Sequence, residues 1–246
     1  MANKKVHDEA TEVIDSAVQA GKLSLLEYDA EKVAQLYGIK VASSGLAKSE
    51  KEARSLARRL GFPLAMKIVS EDILHKSDVG GVKTNIASTG EAGRAYREIL
   101  RNAKKANRRA KIEGVLVQQM APKGYEFVVG GTRDPQFGPT VMFGLGGIYV
   151  ELFKDVAFRL APVTEEEALA MMKEIKSYQL MTGFRGSEPL DISAAAKTIM
   201  AVGDLMVDQP QIDSLDINPL IVYHMGVMAV DVRMILKKRD PSAETA

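Results

Sequence analysis

Residues 66–86 read MKIVSEDILHKSDVGGVKTNI, in which two apolar stretches flank a polar loop that ends in two glycines. The apolar run 64–69 predicts a β-strand, and residues 83–87 after the glycines predict another. Lys67 lies inside the first strand, although an unpaired ammonium group is costly to bury. Either the strand lies at a sheet edge and the lysine head reaches water, or the lysine is held there to bind phosphate.

The loop between these strands carries His75 and the pair Gly80 and Gly81. Paired glycines let backbone N–H groups approach an anion closely, but such pairs also occur in ordinary turns. A lone loop histidine is most often a solvated bystander, although neutral imidazole is also a good phosphoryl acceptor. Each signal is weak by itself, so the loop predicts a phosphate site only together with other features of the chain.

Helix and strand patterns alternate through the first half of the chain. An amphipathic helix is predicted at the start, because apolar residues recur at helical spacing from Val6 to Ala17. The helix that Ser88 opens is expected to run to about Arg109, and a short strand is expected at residues 39–42. Four helix starts are predicted where Ser or Thr precedes Glu by three residues, at Ser24, Ser49, Ser88 and Thr164.

The second half of the chain reads mainly as antiparallel strands between residues 124 and 163. Helices follow, and a closing hairpin is predicted to turn at His224–Gly226. The sequence therefore predicts an α+β protein of two subdomains. The predicted division is an N-terminal helix at residues 1–22, a smaller subdomain at 23–117 and a larger subdomain at 118–246.

Two further groups of residues could belong to a site. A second glycine cluster, FGLGG at residues 143–147, is flanked by Glu151 and Arg159, which a tight turn with a surface salt bridge would also explain. The segment DINP at 216–219 and Asp231 fall on the two arms of the closing hairpin, so Asn218 and Asp231 are expected to face each other. Oxygen ligands of this kind suit Mg²⁺, although Asp-x-Asn-Pro is also a common turn signal.

Composition excludes several classes of function. The 246 residues include no cysteine, which excludes disulfides, thiol catalysis and cysteine-ligated metals. The net charge of +1 gives no global attraction to nucleic acid, and the basic run from Arg94 to Arg109 is expected to be a solvated face. No apolar run approaches the roughly 20 residues of a membrane span, and no apolar signal core opens the chain. A cytoplasmic protein is expected.

The order of these motifs resembles a known family. The segments that carry the resemblance are MKIVSEDILHKSDVGGVKTNI, QQMAPKGYEFVVGGTRDPQFGP, MFGLGGIYVELFKDVAFRLAPV, GFRG followed by LDIS, and LDINPLIV. Together they resemble the ATP-grasp β subunit of ADP-forming acyl-CoA synthetases, the acetate–CoA ligase (ADP-forming) type, which are relatives of succinyl-CoA synthetase. The resemblance covers residues 25–236 and implies an ATP-grasp fold, with two α+β subdomains enclosing a nucleotide site.

The resemblance also implies roles for individual residues. Lys67 is expected to contact the nucleotide phosphates, and His75 to accept a phosphoryl group. Glu151 and Arg159 fall in the stretch expected around the phosphoryl-transfer site, and Mg²⁺ is expected on Asn218 and Asp231. The remaining nucleotide contacts are expected from the glycine segment Gly80, Gly81 and Val82, the adenine hinge Gln118, Gln119, Met120 and Ala121, and the ribose-binding Glu126.

The reaction implied by the resemblance converts acyl-CoA, ADP and phosphate into acid, CoA and ATP. It requires an α subunit that carries the CoA site and a first phosphohistidine, in an α2β2 heterotetramer, with His75 passing the phosphoryl group on to ADP. Two alternatives stay open at this point. One is an ATP-grasp carboxylate–amine ligase, which needs no histidine acceptor, and the other is a non-catalytic nucleotide-sensing module.

Overall fold

The computed structural model describes residues 4–73, 75–147 and 155–238 of the chain. The helices are α1 (Lys4–Gln19), α2 (Glu27–Leu36), α3 (Glu50–Leu60), α4 (Thr89–Ala106), α5 (Glu165–Glu174), α6 (Tyr178–Met181) and α7 (Ile192–Asp208). The strands are β1 (Ser44–Ala47), β2 (Leu64–Ser70), β3 (Val82–Ile86), β4 (Ile112–Gln119), β5 (Tyr125–Asp134), β6 (Gly138–Leu145), β7 (Val156–Leu160), β8 (Ile212–Val222), β9 (Val227–Ala229) and β10 (Val232–Leu236). All the strand pairs are antiparallel.

The chain divides into two compact units. The smaller unit is Ala42–Pro122, and the larger unit combines the residues up to Val41 with those from Lys123 onward. The units differ from the predicted division at 22/23 and 117/118: residues up to Val41 group with the larger unit, and the second boundary follows Pro122. Helical periodicity shows which face of α1 and α2 is apolar, but it does not show which sheet that face covers.

Helices α1 and α2 belong to the larger unit because their apolar faces enter its core. Ile14 and Val33 are fully buried there. Backbone bonds hold the connecting segments to the same unit: the N–H of Leu25 donates to the carbonyl of Met234 at 3.0 Å, and the N–H of Ala229 donates to that of Lys40 at 2.7 Å. These contacts join residues about 200 positions apart, which local patterns do not reveal.

The smaller unit is a four-stranded sheet in the order β1-β4-β2-β3, with α3 and α4 packed on one face. Met66 and Ile68 point into the core beneath these helices. Because side chains alternate along a strand, Lys67 points to the opposite face. The face away from the helices is called the Lys67 face below.

The larger unit has a sheet in the order β10-β8-β5-β6-β7, with β9 also paired to β8. Helix α7 packs on β5 and β6. Its approach is close, since a Cβ atom at Gly131 would lie 2.5 Å from Cγ of Met206. The core therefore lies between α7 and one face of the sheet. Every second residue of each strand points to the other face.

Local helix signals were the most successful predictions. The hydroxyl oxygens of Ser49 and Ser88 accept hydrogen bonds from the N–H groups three residues on, both at 3.2 Å. Thr164 and Glu167 form a complete capping box. These caps satisfy N–H groups that the helix itself leaves without partners.

Three local predictions were wrong. Helix α2 begins at Glu27 rather than near Ser24, and Ser24 instead forms a β-bridge with Ile235. The strand expected at 39–42 is reduced to a bridge between Val41 and Ala229. Helix α4 ends at Ala106 rather than near Arg109. In the first two places, pairing with the distant end of the chain overrides the local pattern.

Among the residues that the structure describes, no helix is both long and apolar enough to cross a membrane.

Tyr37 → Phe tests a polar contact that holds α2 to the end of α7. The fully buried Gln209 donates a hydrogen bond from Nε2 to Oη of Tyr37 at 3.1 Å. Burial raises the pKa of Tyr37 to about 12. The folded protein thus keeps the phenol proton to a higher pH than the unfolded chain does. The contribution of protonated Tyr37 to the free energy of unfolding is therefore complete below about pH 10 and falls as the pH rises towards 12.

We expect the wild type to lose about 1 kcal/mol more unfolding free energy than Tyr37→Phe between pH 8 and pH 11, since Tyr37 is half-buried and solvent weakens the effect. Urea unfolding of both proteins at the two pH values measures the difference. Groups other than Tyr37 that titrate at alkaline pH affect both proteins alike, so their effects cancel when the two losses are compared. Equal losses in the two proteins would contradict the assigned cause.

Candidate functional site

Lys67 lies in the middle of the smaller sheet. Strand β2 runs between β3 and β4, and Lys67 pairs with Val82 on one side and Leu116 on the other. The edge-strand interpretation of this lysine was therefore wrong. Lys67 is only partly buried, whereas the rest of β2 is buried. The strand thus holds an ammonium group on the face away from the helices, where it can interact with an anion.

The loop that carries His75 is anchored at its first end. Ile73 is buried in the core of the smaller unit. The hydroxyl of Ser70 donates to the carbonyl of Lys111 at 2.8 Å, and Oδ2 of Asp72 accepts a hydrogen bond from the N–H of Lys111 at 2.7 Å. His75 itself is exposed. The first end of the loop is therefore held in place, while the imidazole of His75 is exposed to solvent.

The second end of the loop is closed by the glycine pair. The N–H of Gly81 donates to the carbonyl of Lys76 at 2.8 Å, and the N–H of Gly80 donates to that of Ser77 at 3.0 Å. Gly80 has a φ of +64°, which favours glycine. A Cβ atom at Gly81 would lie 2.6 Å from Cγ2 of Ile68 and 2.9 Å from the Lys76 carbonyl oxygen.

These contacts give the glycines a clear part in closing the His75 loop. Both N–H groups are bonded within the loop, so they do not offer themselves to a phosphate in this conformation. A phosphate contact by Gly80, Gly81 and Val82 stays a prediction. Val82 begins β3 directly beside Lys67, so the loop returns to the strand next to the lysine.

Gly81→Ala is expected to destabilise the protein by about 2 kcal/mol, because the methyl group would meet a backbone oxygen and a packed isoleucine. Gly90→Ala is the matched control. Gly90 lies in the first turn of α4, and the nearest atom to its Cβ would be 3.7 Å away. Thermal unfolding of both variants measures the effect. A Gly81→Ala melting temperature equal to that of Gly90→Ala would contradict this account of loop closure.

The predicted hinge, Gln118 to Ala121, lies at the end of β4. Gln118 is buried and pairs with Ser44 and Ala65 on the two neighbouring strands. The N–H of Gln119 donates to the carbonyl of Ser43 at 2.8 Å, and the N–H of Met120 donates to that of Pro63 at 3.1 Å. Two hinge N–H groups are thus already used by the sheet. Adenine binding by the hinge stays a prediction.

Glu126 lies near the start of β5, in the larger unit, and its side chain is exposed. A Cβ atom at Gly147 would lie 2.5 Å from Oε2 of Glu126, so the carboxylate contacts the second glycine cluster. The N–H of Gly147 donates to Oδ1 of Asn218 at 3.2 Å. Gly147 therefore links the predicted ribose-binding acid to the predicted metal ligand Asn218.

Asn218 and Asp231 face each other, as the hairpin pattern predicts. The backbone N–H of Asn218 donates to the carbonyl oxygen of Asp231 at 3.2 Å, and the N–H of Val230 donates to that of Pro219 at 3.1 Å. Asn218 is partly exposed. Asn218 lies on β8, and Asp231 lies directly beside it in the short connection between β9 and β10.

The sequence analysis included the DINP segment but did not identify Asp216 as a possible metal ligand. Asp216 lies two residues before Asn218 on β8, so both side chains are on the sheet face opposite the core. Asp216 is exposed, but the surrounding protein removes part of the solvation of its carboxylate, and this raises its pKa. The negative charge of the nearby Asp231 raises the pKa further, and the positive charge of Arg233 lowers it in part. The Asp-x-Asn spacing on a strand was the available signal.

This arrangement fits a divalent cation. Asp216 and Asp231 supply carboxylate oxygens, and their mutual repulsion is the kind that a cation relieves. No three acidic or imidazole side chains gather as a metal site by themselves within the described parts of the chain, so the amide oxygen of Asn218 would complete the group. An all-oxygen set of this kind suits Mg²⁺, which also keeps several of its waters.

Arg159 lies elsewhere. In β7 it pairs with Val141, whose side chain is buried in the core of the larger unit. Its guanidinium forms a two-pronged ion pair with Glu174 of α5, on the opposite sheet face from Asn218. The structure therefore supports the salt-bridge interpretation and does not bring Arg159 to the metal pair. Glu151 lies outside the described residues.

Comparison with known proteins gives consistent matches over nearly the whole chain. The family model described as ATP-grasp domain matches residues 16–236. The Pyrococcus furiosus protein named Acetate–CoA ligase [ADP-forming] I subunit beta is 48% identical over 227 residues, which cover 92% of this chain and 97% of that protein.

Two solved structures of the Ca. Korarchaeum cryptofilum dinucleotide forming acetyl-coenzyme A synthetase 1 are also similar. One, in complex with coenzyme A, Ca-AMPCP and HgCl+, has a TM-score of 0.89 and 50% identity. The other, a Se-Met derivative with coenzyme A and Mg-AMPPCP, has a TM-score of 0.84 and 46% identity, and its phosphohistidine segment points towards the nucleotide binding site. Each covers 93% of this chain and all of the matched chain.

Proposed function

The chain belongs to the ATP-grasp family, among β subunits of ADP-forming acetate–CoA ligases, and we propose from its site that it is the nucleotide-binding and phosphotransfer subunit of an ADP-forming acyl-CoA synthetase. The reaction is acyl-CoA, ADP and phosphate giving acid, CoA and ATP. The observation that carries the proposal is the exposed His75 on a loop that leaves the Lys67 strand and returns beside it.

His75 is the phosphoryl carrier in this proposal. Its neutral ring nitrogen accepts the phosphoryl group, since imidazole is nucleophilic near neutral pH without a separate base. In the final step, a β-phosphate oxygen of ADP attacks the phosphorus. The P–N bond breaks, its electron pair returns to the ring, and ATP forms. The anchors at Ile73 and Gly81 limit the positions that the imidazole can take, which favours alignment.

Lys67 provides positive charge for the nucleotide phosphates. Phosphoryl transfer depends mainly on alignment and on stabilising negative charge, and a lysine fixed in a central strand supplies both. Asn218 and Asp231, together with Asp216, would hold Mg²⁺. When bound, the ion neutralises charge on the phosphate oxygens. Glu126 would bind the ribose hydroxyls, and the hinge would receive the base.

The proposal includes a partner, an α subunit that carries the CoA site and a first phosphohistidine. The subunit name of the Pyrococcus furiosus relative supports such a partner. So does the coenzyme A in the two archaeal synthetase structures. An α2β2 assembly, which the family resemblance implies, is the form we propose.

The test is reconstitution. The purified chain is mixed with its candidate α subunit, acetyl-CoA, ADP, phosphate and Mg²⁺, and ATP formation is followed. We expect ATP only when all components are present. ADP release from ATP that requires an added amine would instead identify a carboxylate–amine ligase. Nucleotide binding without any phosphoryl exchange in the reconstituted mixture would identify a sensor and overturn the proposal.

A further inference from the structure

The net charge of the whole chain conceals an uneven distribution between the two units. The smaller unit, Ala42–Pro122, contains 16 lysine and arginine residues and eight aspartate and glutamate residues. Its net charge is therefore +8, while the remaining residues carry −7, which leaves +1 for the chain. Charge asymmetry of this kind within one chain indicates a polyanionic partner or a membrane surface.

Helix α4 carries the most ordered part of this positive charge. Five exposed cationic side chains follow one side of the helix and are called the α4 row: Arg94, Arg97, Arg101, Lys104 and Lys105. At 3.6 residues per turn, the five positions fall within roughly 100° of the helix circumference. The opposite side, which includes Tyr96 and Ile99, is buried in the core of the smaller unit.

Neighbouring acidic residues compensate little of the charge in the α4 row. Within the described parts of the chain, Arg97 is the only member of the row that forms an ion pair, with Glu50 at 2.5 Å. The acidic residues of α4 itself have other partners. Glu98 pairs with Lys83 at 2.6 Å, and Glu91 accepts a backbone N–H from the residue before the helix cap at 2.8 Å.

The helix itself gains little from this arrangement. Arg97, Arg101 and Lys105 follow one another at intervals of four residues, at which like charges repel and destabilise a helix. The helix dipole favours cations in the last turn, which accounts for Lys104 and Lys105. It does not account for the arginines nearer the start of α4. An external anion explains the whole row better than the stability of the helix does.

The spacing of the charges favours the backbone of a nucleic-acid duplex. The row extends over about 17 Å at 1.5 Å per residue, so positive charges follow one another about every 4 Å. One strand of a duplex carries a phosphate about every 3.4 Å along its axis. Tyr96, the aromatic residue of α4, is buried and cannot stack on unpaired bases. The apolar side chains of α4 face the core, so the helix is not built to enter a membrane surface.

We propose that the α4 row binds the phosphate backbone of a nucleic-acid duplex without reading its sequence. The arginine and lysine side chains contact phosphate oxygens, and the release of counterions from the duplex drives the binding. The row is on the helical side of the smaller sheet, opposite the Lys67 face. This binding is therefore separate from the nucleotide site and goes beyond the proposed function.

Two triple variants with the same net charge separate the α4 row from the charge of the whole chain. Arg94→Gln/Arg101→Gln/Lys105→Gln removes three exposed charges from the row, and glutamine keeps a high helix propensity. The matched control removes three exposed charges from the larger unit and consists of Lys32→Gln, Lys40→Gln and Lys173→Gln. Both variants leave the buried face of α4 unchanged.

Fluorescence anisotropy provides the test, with the full chain added to a labelled duplex of about 20 base pairs at about 50 to 300 mM salt. For the wild type, we expect the logarithm of the binding constant to fall against that of the salt concentration with a slope of about −4.5, since each contacted phosphate contributes about −0.9. The α4 variant should have a slope of about −2 and bind at least about 100-fold more weakly at low salt. The control variant should bind within about threefold of the wild type, and a second duplex of unrelated sequence should bind equally well.

Several outcomes would overturn the inference. A wild type that does not bind the duplex at low salt removes the proposed ligand, and an equal loss in the control variant assigns the binding to net charge rather than to α4. If the wild type binds poly-L-glutamate but not the duplex, and the α4 variant loses that binding, the row is a docking surface for an acidic protein instead. Labelling of the chain by γ-labelled ATP should be unchanged in both variants, so a wild type without label contradicts the proposed function and leaves the duplex measurement to decide this inference.

Discussion

We expect His75→Asn to abolish the transfer of the γ-phosphoryl group from ATP to the protein and, in the reconstituted enzyme, to lower acyl-CoA-dependent ATP formation by at least about 10³-fold. The expected size follows from the loss of a covalent carrier, which no neighbouring group replaces. The imidazole is exposed, and the bonds that close its loop come from Ser70, Asp72, Gly80 and Gly81. The variant should therefore fold and bind ATP as the wild type does.

The measurement is protein-bound label after incubation with Mg²⁺ and γ-labelled ATP. A phosphohistidine is labile to acid and stable to alkali, which distinguishes it from a phosphoserine. His224→Asn is the control, because His224 is also exposed and its ring forms a hydrogen bond with the carbonyl of Pro189 at 3.0 Å, away from the His75 loop in the sequence. Label that survives in His75→Asn, or disappears in His224→Asn, would show that His75 is not the carrier.

We expect Asp231→Asn to weaken the binding of Mg²⁺–ADP by about 100-fold, whereas ADP binding in the presence of a chelator should change little. The change keeps the shape of the side chain and removes one charged oxygen from a group in which Asp216 and Asn218 are the other members. Mg²⁺ depends on a small number of carboxylates, so each one contributes strongly. Asp216→Asn is expected to have the same direction of effect.

Titration of ADP with and without Mg²⁺ measures the metal-dependent part of the affinity. Asp213→Asn is the control on the same strand, since Asp213 is exposed three residues before Asp216. It should bind Mg²⁺–ADP as the wild type does. If Asp231→Asn retained the full difference between the two titrations, the metal would have to lie elsewhere.

Local signals predicted the features that depend on a few neighbouring residues. Ser49 and Thr164 cap helices because their acceptors lie three residues from the donors. Asn218 and Asp231 meet because a hairpin of known turn position brings its arms together. Lys67 and the loop after it were recognised for the same reason, since strand, loop and strand follow one another along the chain.

Other features depend on register, which a single sequence does not specify. Arg159 is placed opposite Val141, and that pairing directs its guanidinium to Glu174 rather than to the metal pair. A shift of one residue would have reversed this. The left-handed backbone of Asn85, with a φ of 57°, lies inside β3 and arises from a bulge between β2 and β3, which no local pattern marks. Ser24 was misread because its partner, Ile235, is at the other end of the chain.

In the sequence, α1 and α2 are separated from the rest of the larger unit by the whole smaller unit, and this has a consequence for folding during synthesis. The smaller unit is contiguous from Ala42 to Pro122, so all of its strands have been translated long before the chain is finished. The larger unit must wait for β10, because the N–H of Leu25 bonds to Met234. Its first two helices therefore leave the ribosome with an apolar face uncovered, and that face needs protection until about 200 further residues have been made.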